Sequence, residues 1–381
     1  MPTGSGERQA LHIVKEVTPG TLPTTPTMTP FWHNSETINP VRGAFESARS
    51  LGDRQLSDFR LGRKSGAGDI TSELTYENFD LQLEGLLCTT QEAAPFTPIG
   101  PLTTISFTAA TQTIADSASG LGDIAIADFI YISGAGEGEN NGMFKVLTAT
   151  AAAITVEGSK IIDEAAGASV TIEQADFVNG TTLSTYSIQK HYLDLAIADH
   201  YLGCGFNSAA LTIPPNGIST INWNILAMNY LADQTPETTL ATLTEYRPFS
   251  GLTGTYNEAG DATAIMTAFS CNIENNLMHT EPLGVAIAGE VIARKFRVSG
   301  SVSFYFQSAA MMTKFWAETI TQLVVTLSDP LGNEYVFGFP RVVLTSGSRP
   351  KSDDGPLVEQ FNWTALRADG SEKTCFVVKR Q

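Results

Sequence analysis

The side chains of this 381-residue chain best suited to metal or nucleophilic chemistry are five histidines and four cysteines. They are His12, His33, His191, His200 and His279, with Cys88, Cys204, Cys271 and Cys375. No H-x-x-x-H and no C-x-x-C pair occurs, so the closely spaced donors of a structural zinc site are missing. Glu137, Glu139, Asn141 and Gly142 fall at positions one, three, five and six of a calcium-binding loop. Position twelve is then Thr148, where such a loop needs a bidentate carboxylate. Cys204, in YLGCGF, has His191 and His200 nearby in sequence, so a Cys–His pair is one reading. A packed core thiol is the stronger one, because the surrounding strand is apolar.

Other catalytic signatures fare no better. There is no G-x-S-x-G elbow. Gly134–Gly138 (GAGEG) lacks the Lys-Ser/Thr of a phosphate loop and any helical pattern after it. Asp353-Asp354 sits in a Pro/Gly-rich stretch that reads as solvated. No catalytic constellation, metal or cofactor is therefore expected, and the chain does not read as an enzyme.

Charge narrows the partners. Lys+Arg number 23 against 40 Asp+Glu, a net charge of −17. Such an excess repels polyanions and argues against nucleic-acid binding by charge neutralisation and against a polybasic membrane anchor. No apolar run approaches a membrane span, and Met1–Leu11 shows no secretory pattern. Dispersed cysteines without such a pattern read as buried thiols.

The elements follow from hydrophobic periodicity. At 298–306, Val302, Phe304 and Phe306 alternate with polar residues as in a half-buried strand. Ser308 then offers an N-cap, and Met311, Met312, Phe315, Trp316 and Ile320 make one apolar stripe on a helix over 308–320. A weaker copy lies at 68–87: Ile70, Ser72, Leu74 and Tyr76 alternate, Asn78 can cap, and Phe79, Leu83, Leu86 and Leu87 keep helical spacing. Gly68 and Gly300 precede the two strands. If this repeat is real, the chain is two related halves around one core.

Residues 1–40, rich in Thr and Pro, predict an extended N-terminal arm that docks through Phe31-Trp32. Residues 41–66 read as a long loop, basic in an acidic chain. From 42 to 64 it carries Arg42, Arg49, Arg54, Arg60, Arg63 and Lys64 against three acids. Residues 103–180 change composition and hold short strand-like runs between Gly/Asn/Asp turns, which predicts an inserted small β-barrel or sandwich. The main domain then comprises 41–102 and 181–381. Its clearest element is a hairpin, 201–213 and 218–228, turning at Pro214-Pro215-Asn216-Gly217. Further strands are expected at 262–274 and 285–306, and a second hairpin turns at 329–333. The fold class is mainly β, an antiparallel sandwich or barrel with one or two flanking helices.

Four blocks, taken in order, resemble major tail tube proteins of long-tailed bacteriophages. They are VTPGTLPTTPTM, DRQLSDFRLGRKSGAGDITSELTYENFDLQLEGLL, LGCGFNSAALTIPPNGISTINWNILA and VSGSVSFYFQSAAMMTKFWAETI. The match covers most of the chain outside 103–180. The resemblance implies a β-sandwich whose six copies form a ring, with rings stacking into a hollow, non-contractile tube. It implies that the arm and the 41–66 loop bridge subunits and rings, which would place Phe31, Trp32 and the six basic residues at inter-ring contacts. It also implies a virion protein assembled in the host cytoplasm, with tape-measure, terminator and baseplate proteins as partners and genomic DNA in transit. Related ring proteins of baseplates, terminators or secretion tubes are the nearest alternative. A carbohydrate-binding adhesin is a further one, although the insert has Tyr131 and no tryptophan.

Overall fold

The computed structural model describes residues 5–49, 52, 55–89, 98–126, 128–157, 160–258, 265–350, 355–367 and 376–380. It is mainly β, with antiparallel pairing between its strands and two short α-helices.

The body contains the strands β1 (Gln9–Lys15), β2 (Asn39–Glu46) and β3 (Phe59–Glu73), then α1 (Asp80–Leu87). After the insert come β4 (Tyr186–Tyr192), β5 (Ile197–Ile213), β6 (Thr220–Ala227) and β7 (Asn229–Gln234). They are followed by β8 (Thr255–Glu258), β9 (Met266–Glu274), β10 (Arg297–Tyr305) and α2 (Ala310–Trp316). The last are β11 (Thr321–Ser328), β12 (Glu334–Ser348), β13 (Val358–Ala365) and β14 (Val377–Arg380). Two- and three-residue elements connect them.

The repeat suspected at two strand–helix segments extends over the whole body. In the first half the strands lie in the order β1–β4–β5–β6–β3–β2, with β7 also on β5. In the second the order is β8–β11–β12–β13–β10–β9, with β14 also on β12. Each strand therefore has a counterpart seven strands later, and α1 has α2. Even the irregularities recur. The β4/β5 and β11/β12 ladders slip at Tyr186/Ile188 and Thr321/Leu323, and β5/β6 and β12/β13 slip at Phe206/Ser208 and Leu344/Ser346. Such bulges bend a strand so that it can serve two neighbours. The halves join where β9 pairs with the C-terminal part of β5, Ser208↔Glu274 through Ile213↔Phe269.

One hydrophobic core runs through both halves. In the first, Trp223 stacks on Phe79 and meets Phe206 edge-on; in the second, Trp363 stacks on Phe269 and packs against Phe339. The expected hairpin forms as β5–β6, with Ala209 opposite Trp223 and Leu211 opposite Ile221. The second forms as β11–β12. Gly68 and Gly300 have the same cause: a Cβ there would collide with the backbone at Ile38 and Ser270, so only glycine permits the neighbouring strand.

Five local readings are corrected. Residues 41–66 are not a loop: β2 and β3 pair from Asn39↔Ala67 out to Glu46↔Phe59. The period-two pattern of Val41, Phe45, Phe59 and Leu61 underlies it but is masked by the charges. The N-terminal segment is not an arm set apart from the body. Leu11 and Ile13 alternate into the core, and β1 completes the sheet beside β4. The second helix stops at Trp316, and Asn78 does not cap α1, because its amide donates to the Thr75 hydroxyl and the Thr244 carbonyl. Between 285 and 296 only Val291–Ile292 is strand, short of the continuous strand expected from 285. α1 is the more buried helix; a Cβ at Gly85 would meet Phe206 and Tyr186 at 2.6 Å, so the helix lies directly on aromatic rings.

The insert forms its own seven-stranded sheet over 99–174, with a separate core built on Ile114, Ile130, Phe144 and Ile172. It rests on the body through Phe129, Tyr131 and Met143 against Val324, Val336 and Val377, and the Tyr131 hydroxyl donates to Glu334 at 3.2 Å.

Candidate assembly surface

The residues singled out for contacts divide into two groups. Phe31 is only 1% exposed and packs against Phe79 inside its own subunit, so it serves the core. Trp32 is half-buried, and its carbonyl accepts the Ser72 hydroxyl at 2.8 Å. The basic residues instead mark the β2–β3 hairpin. Arg54 lies outside the described residues. Arg42 and Arg60 are exposed on the hairpin, Arg42 donating to the Gly62 carbonyl at 2.8 Å and Arg60 pairing loosely with Asp58 at 3.4 Å. Arg49 follows the end of β2, where its backbone N–H is held by the Ser47 hydroxyl at 3.3 Å.

The hairpin is braced at its base and bare beyond it. Residues 66–73 of β3 pair with β6 on one side and, on the other, with the start of β2 and with Ser35–Glu36, whereas residues 59–65 have β2 as their one described strand neighbour. Lys64 exchanges backbone hydrogen bonds with the 286–288 segment, to Ala286 and from Ala288, both at 2.9 Å. The Arg63 guanidinium donates to the Pro282 carbonyl. A groove of about 580 Å³ runs between the hairpin and residues 279–288. Val41 beside this brace and Phe45, Phe59 and Leu61 past it are all exposed, Phe45 by 66%. A projecting hairpin that combines apolar and basic side chains is a surface whose hydrophobic cost is relieved by covering. Sequence reasoning found its charges and missed its apolar residues, though the alternation in both arms was the available signal.

The groups considered for chemistry are occupied structurally. The Cys204 thiol is held by the Tyr201 carbonyl at 3.3 Å, and burial pushes its pKa well up, the wrong direction for a thiolate. Gln189 bridges His12 and His200, at 3.3 and 3.1 Å. Burial, aided by His191, lowers the His12 pKa to about 4, so the ring is neutral at physiological pH. In the insert, the Asn141 side chain bonds the main chain at Ala135 and Glu137, closing the turn that resembled a calcium loop. No group of three or more His, Cys, Asp or Glu is placed for a metal among the described residues. No described helix is long and apolar enough to cross a membrane.

Comparison with known proteins agrees with this arrangement of sheet, hairpin and unreactive interior. A search of curated proteins returned no match. The sequence profile of a family described as phage tail tube protein matches residues 6–365. That span takes in both halves of the body and the insert between them, and the chain therefore belongs to the phage tail tube protein family.

Proposed function

We propose that the chain is the structural subunit of a phage tail tube and builds rings that stack into a hollow conduit for the genome. The observation that carries this is the braced, solvent-exposed β2–β3 hairpin on a chain whose family match is nearly complete. Rings close by side-to-side contacts, and a ring needs a second contact of a different kind to stack. The hairpin supplies that second contact: Phe45, Phe59 and Leu61 become covered, and Arg42, Arg49, Arg60, Arg63 and Lys64 meet the acidic body of a neighbour.

The ring holds six copies of the tail-tube unit, as the resemblance implies. The net charge of −17 lets a wall be acidic, so that DNA slides past it without adhering. In this reading the tube surrounds the tape-measure protein, ends on terminator and baseplate proteins, carries no catalytic step, and is assembled in the host cytoplasm. The insert faces outward, where its bulk obstructs neither lumen nor stacking.

The test is negative-stain electron microscopy of the purified protein and of a variant with Arg49, Arg60 and Arg63 changed to Glu. The wild type should give tubes or stacked rings on concentration. The variant should remain folded and stop at single rings or free subunits. Tubes of normal length from the variant would refute the hairpin's role.

A further inference from the structure

The internal duplication leaves two sheet edges without their repeat-equivalent partners. In the first half, the C-terminal part of β5 has β6 on one side and β9 on the other. Its counterpart in the second half, the end of β12 at Ser346–Ser348, has β13 on one side, and no described strand pairs with it on the other. Conversely, β9 lies between β10 and β5, whereas among the described strands its counterpart β2 pairs with β3 alone. One half of the chain thus ends in an open acceptor edge and the other begins with an open donor strand. They are the two faces of the junction that already exists once inside the molecule.

We infer that β2 of one chain pairs with the open edge of β12 in a second copy of this chain, repeating the internal β5–β9 junction. The register follows from the repeat. Ser208, Ala209 and Ala210 of β5 correspond to Ser346, Gly347 and Ser348, because the slips after Phe206 and Leu344 coincide. Glu274, Ile273 and Asn272 of β9 correspond to Val41, Pro40 and Asn39, as their pairings with β10 and β3 show. The internal pairs Ser208↔Glu274 and Ala210↔Asn272 therefore become Ser346↔Val41 and Ser348↔Asn39 between chains. Pro40 lacks an N–H, so this ladder is one donor short of the internal one. Proline on such an edge also discourages pairing with arbitrary strands.

The helices point the same way. α1 sits at the internal junction, where Asp80 accepts from Arg380 of β14 at 2.5 Å and the Tyr335 hydroxyl of β12 accepts the backbone N–H of Glu77 at 3.1 Å. Among the described residues no comparable contact from a distant strand reaches its counterpart α2, and Trp316 at its end is 77% exposed. The second copy that completes the β12 edge covers this helix as well.

Resting on the ring proposed above, the duplication changes its stoichiometry. Each chain brings two units, so a six-unit ring closes with three chains in place of the homohexamer expected from the sequence. Because a head-to-tail contact of this kind is heterologous, a ring that closes leaves neither edge open.

The experiment is a paired-cysteine cross-link in the full chain. Asn39 and Ser348 face each other at a position where the repeat places a non-hydrogen-bonded antiparallel pair. There the Cα atoms approach to about 4.5 Å, within reach of a disulfide. Asn39→Cys/Ser348→Cys, assembled and then oxidised, should give a covalent ladder on non-reducing gels that ends at the trimer. Each single variant should stop at a dimer or below. A ladder ending at the hexamer would overturn the three-chain ring. Tubes visible by microscopy with no ladder would overturn the edge pairing and leave the tail-tube reading standing. Neither tubes nor ladder, from a folded double variant and a folded wild type, would overturn both. Trp316→Arg supplies a second measure: it should leave the monomer folded and lower ring yield at least tenfold, and unchanged yield would count against the covered helix.

Discussion

Glu16 is where the N-terminal segment is locked to the body, and its removal should show how firmly. It follows β1, is only 7% exposed, and among the described residues no cation lies within salt-bridge distance. Its carboxylate accepts four hydrogen bonds instead: from the backbone N–H groups of Gly20 at 2.7 Å and Gly203 at 2.8 Å, and from the hydroxyls of Thr185 at 2.8 Å and Ser187 at 2.6 Å. Three elements thus converge on one side chain. Glu16→Ala orphans two backbone donors that cannot turn away, while the two hydroxyls can rotate toward other acceptors. At about 1–3 kcal/mol for each buried donor left unsatisfied, the expected loss is roughly 3–5 kcal/mol. That is a large share of the ~5–15 kcal/mol typical of a folded domain. Glu16→Gln keeps the shape and one acceptor oxygen but turns an amide N–H₂ toward two donors, so it should fall between the two, near 2 kcal/mol. The assay is urea unfolding of monomeric protein, comparing midpoints at constant slope. Glu7→Ala, at an exposed site, serves as a control expected within about 0.5 kcal/mol of wild type. A Glu16→Ala loss below about 1 kcal/mol would refute the reasoning and return the N-terminal segment to the status of a loosely attached arm.

Two further outcomes can be checked on the same material. Stability should fall on acidification: the folded chain resists protonation of His12 until pH about 4, whereas the unfolded chain binds that proton near 6.5. The unfolded state then holds more protons across that window, so stability is full above 6.5 and declines by up to about 3 kcal/mol by pH 4. Burial lowers His191, His200 and His279 in the same sense, while Asp80, raised to about 6 by burial, works against it. Thermal melts from pH 7 to pH 4 should show the decline and His12→Gln should flatten it; an equal slope in both would dismiss His12 as the cause. Replacing residues 99–174 with a short Gly/Ser linker should leave the body folded and able to assemble, because the insert has its own sheet and core. It should also become less soluble as Val324, Val336 and Val377 are uncovered, and be rescued by changing them to Thr; loss of the body's circular-dichroism signature would show the insert to be integral.

Short-range patterns along the chain specify its local elements. The β5–β6 hairpin was legible because Ala209, Leu211, Trp223 and Ile225 alternate on either side of a Pro-Pro-Asn-Gly turn. The insert was legible because its composition changes, and the repeat was glimpsed at Gly68 and Gly300, where a strand needs a missing Cβ. What the tertiary structure alone decided is long-range pairing. Nothing local in Gln9–Lys15 says that it lies beside residues 186–192 rather than extending into solvent, and Glu16 gains its meaning from donors near residues 185–203. The full duplication is likewise invisible along the chain, because the halves share bulge positions and strand order more than residue types. The hairpin's charges disguised its alternation, and helical periodicity at 308–320 could not reveal that Trp316 would be left uncovered. Local patterns fix which face of an element is apolar. Only the assembled sheet fixes which edges are filled and which stay open.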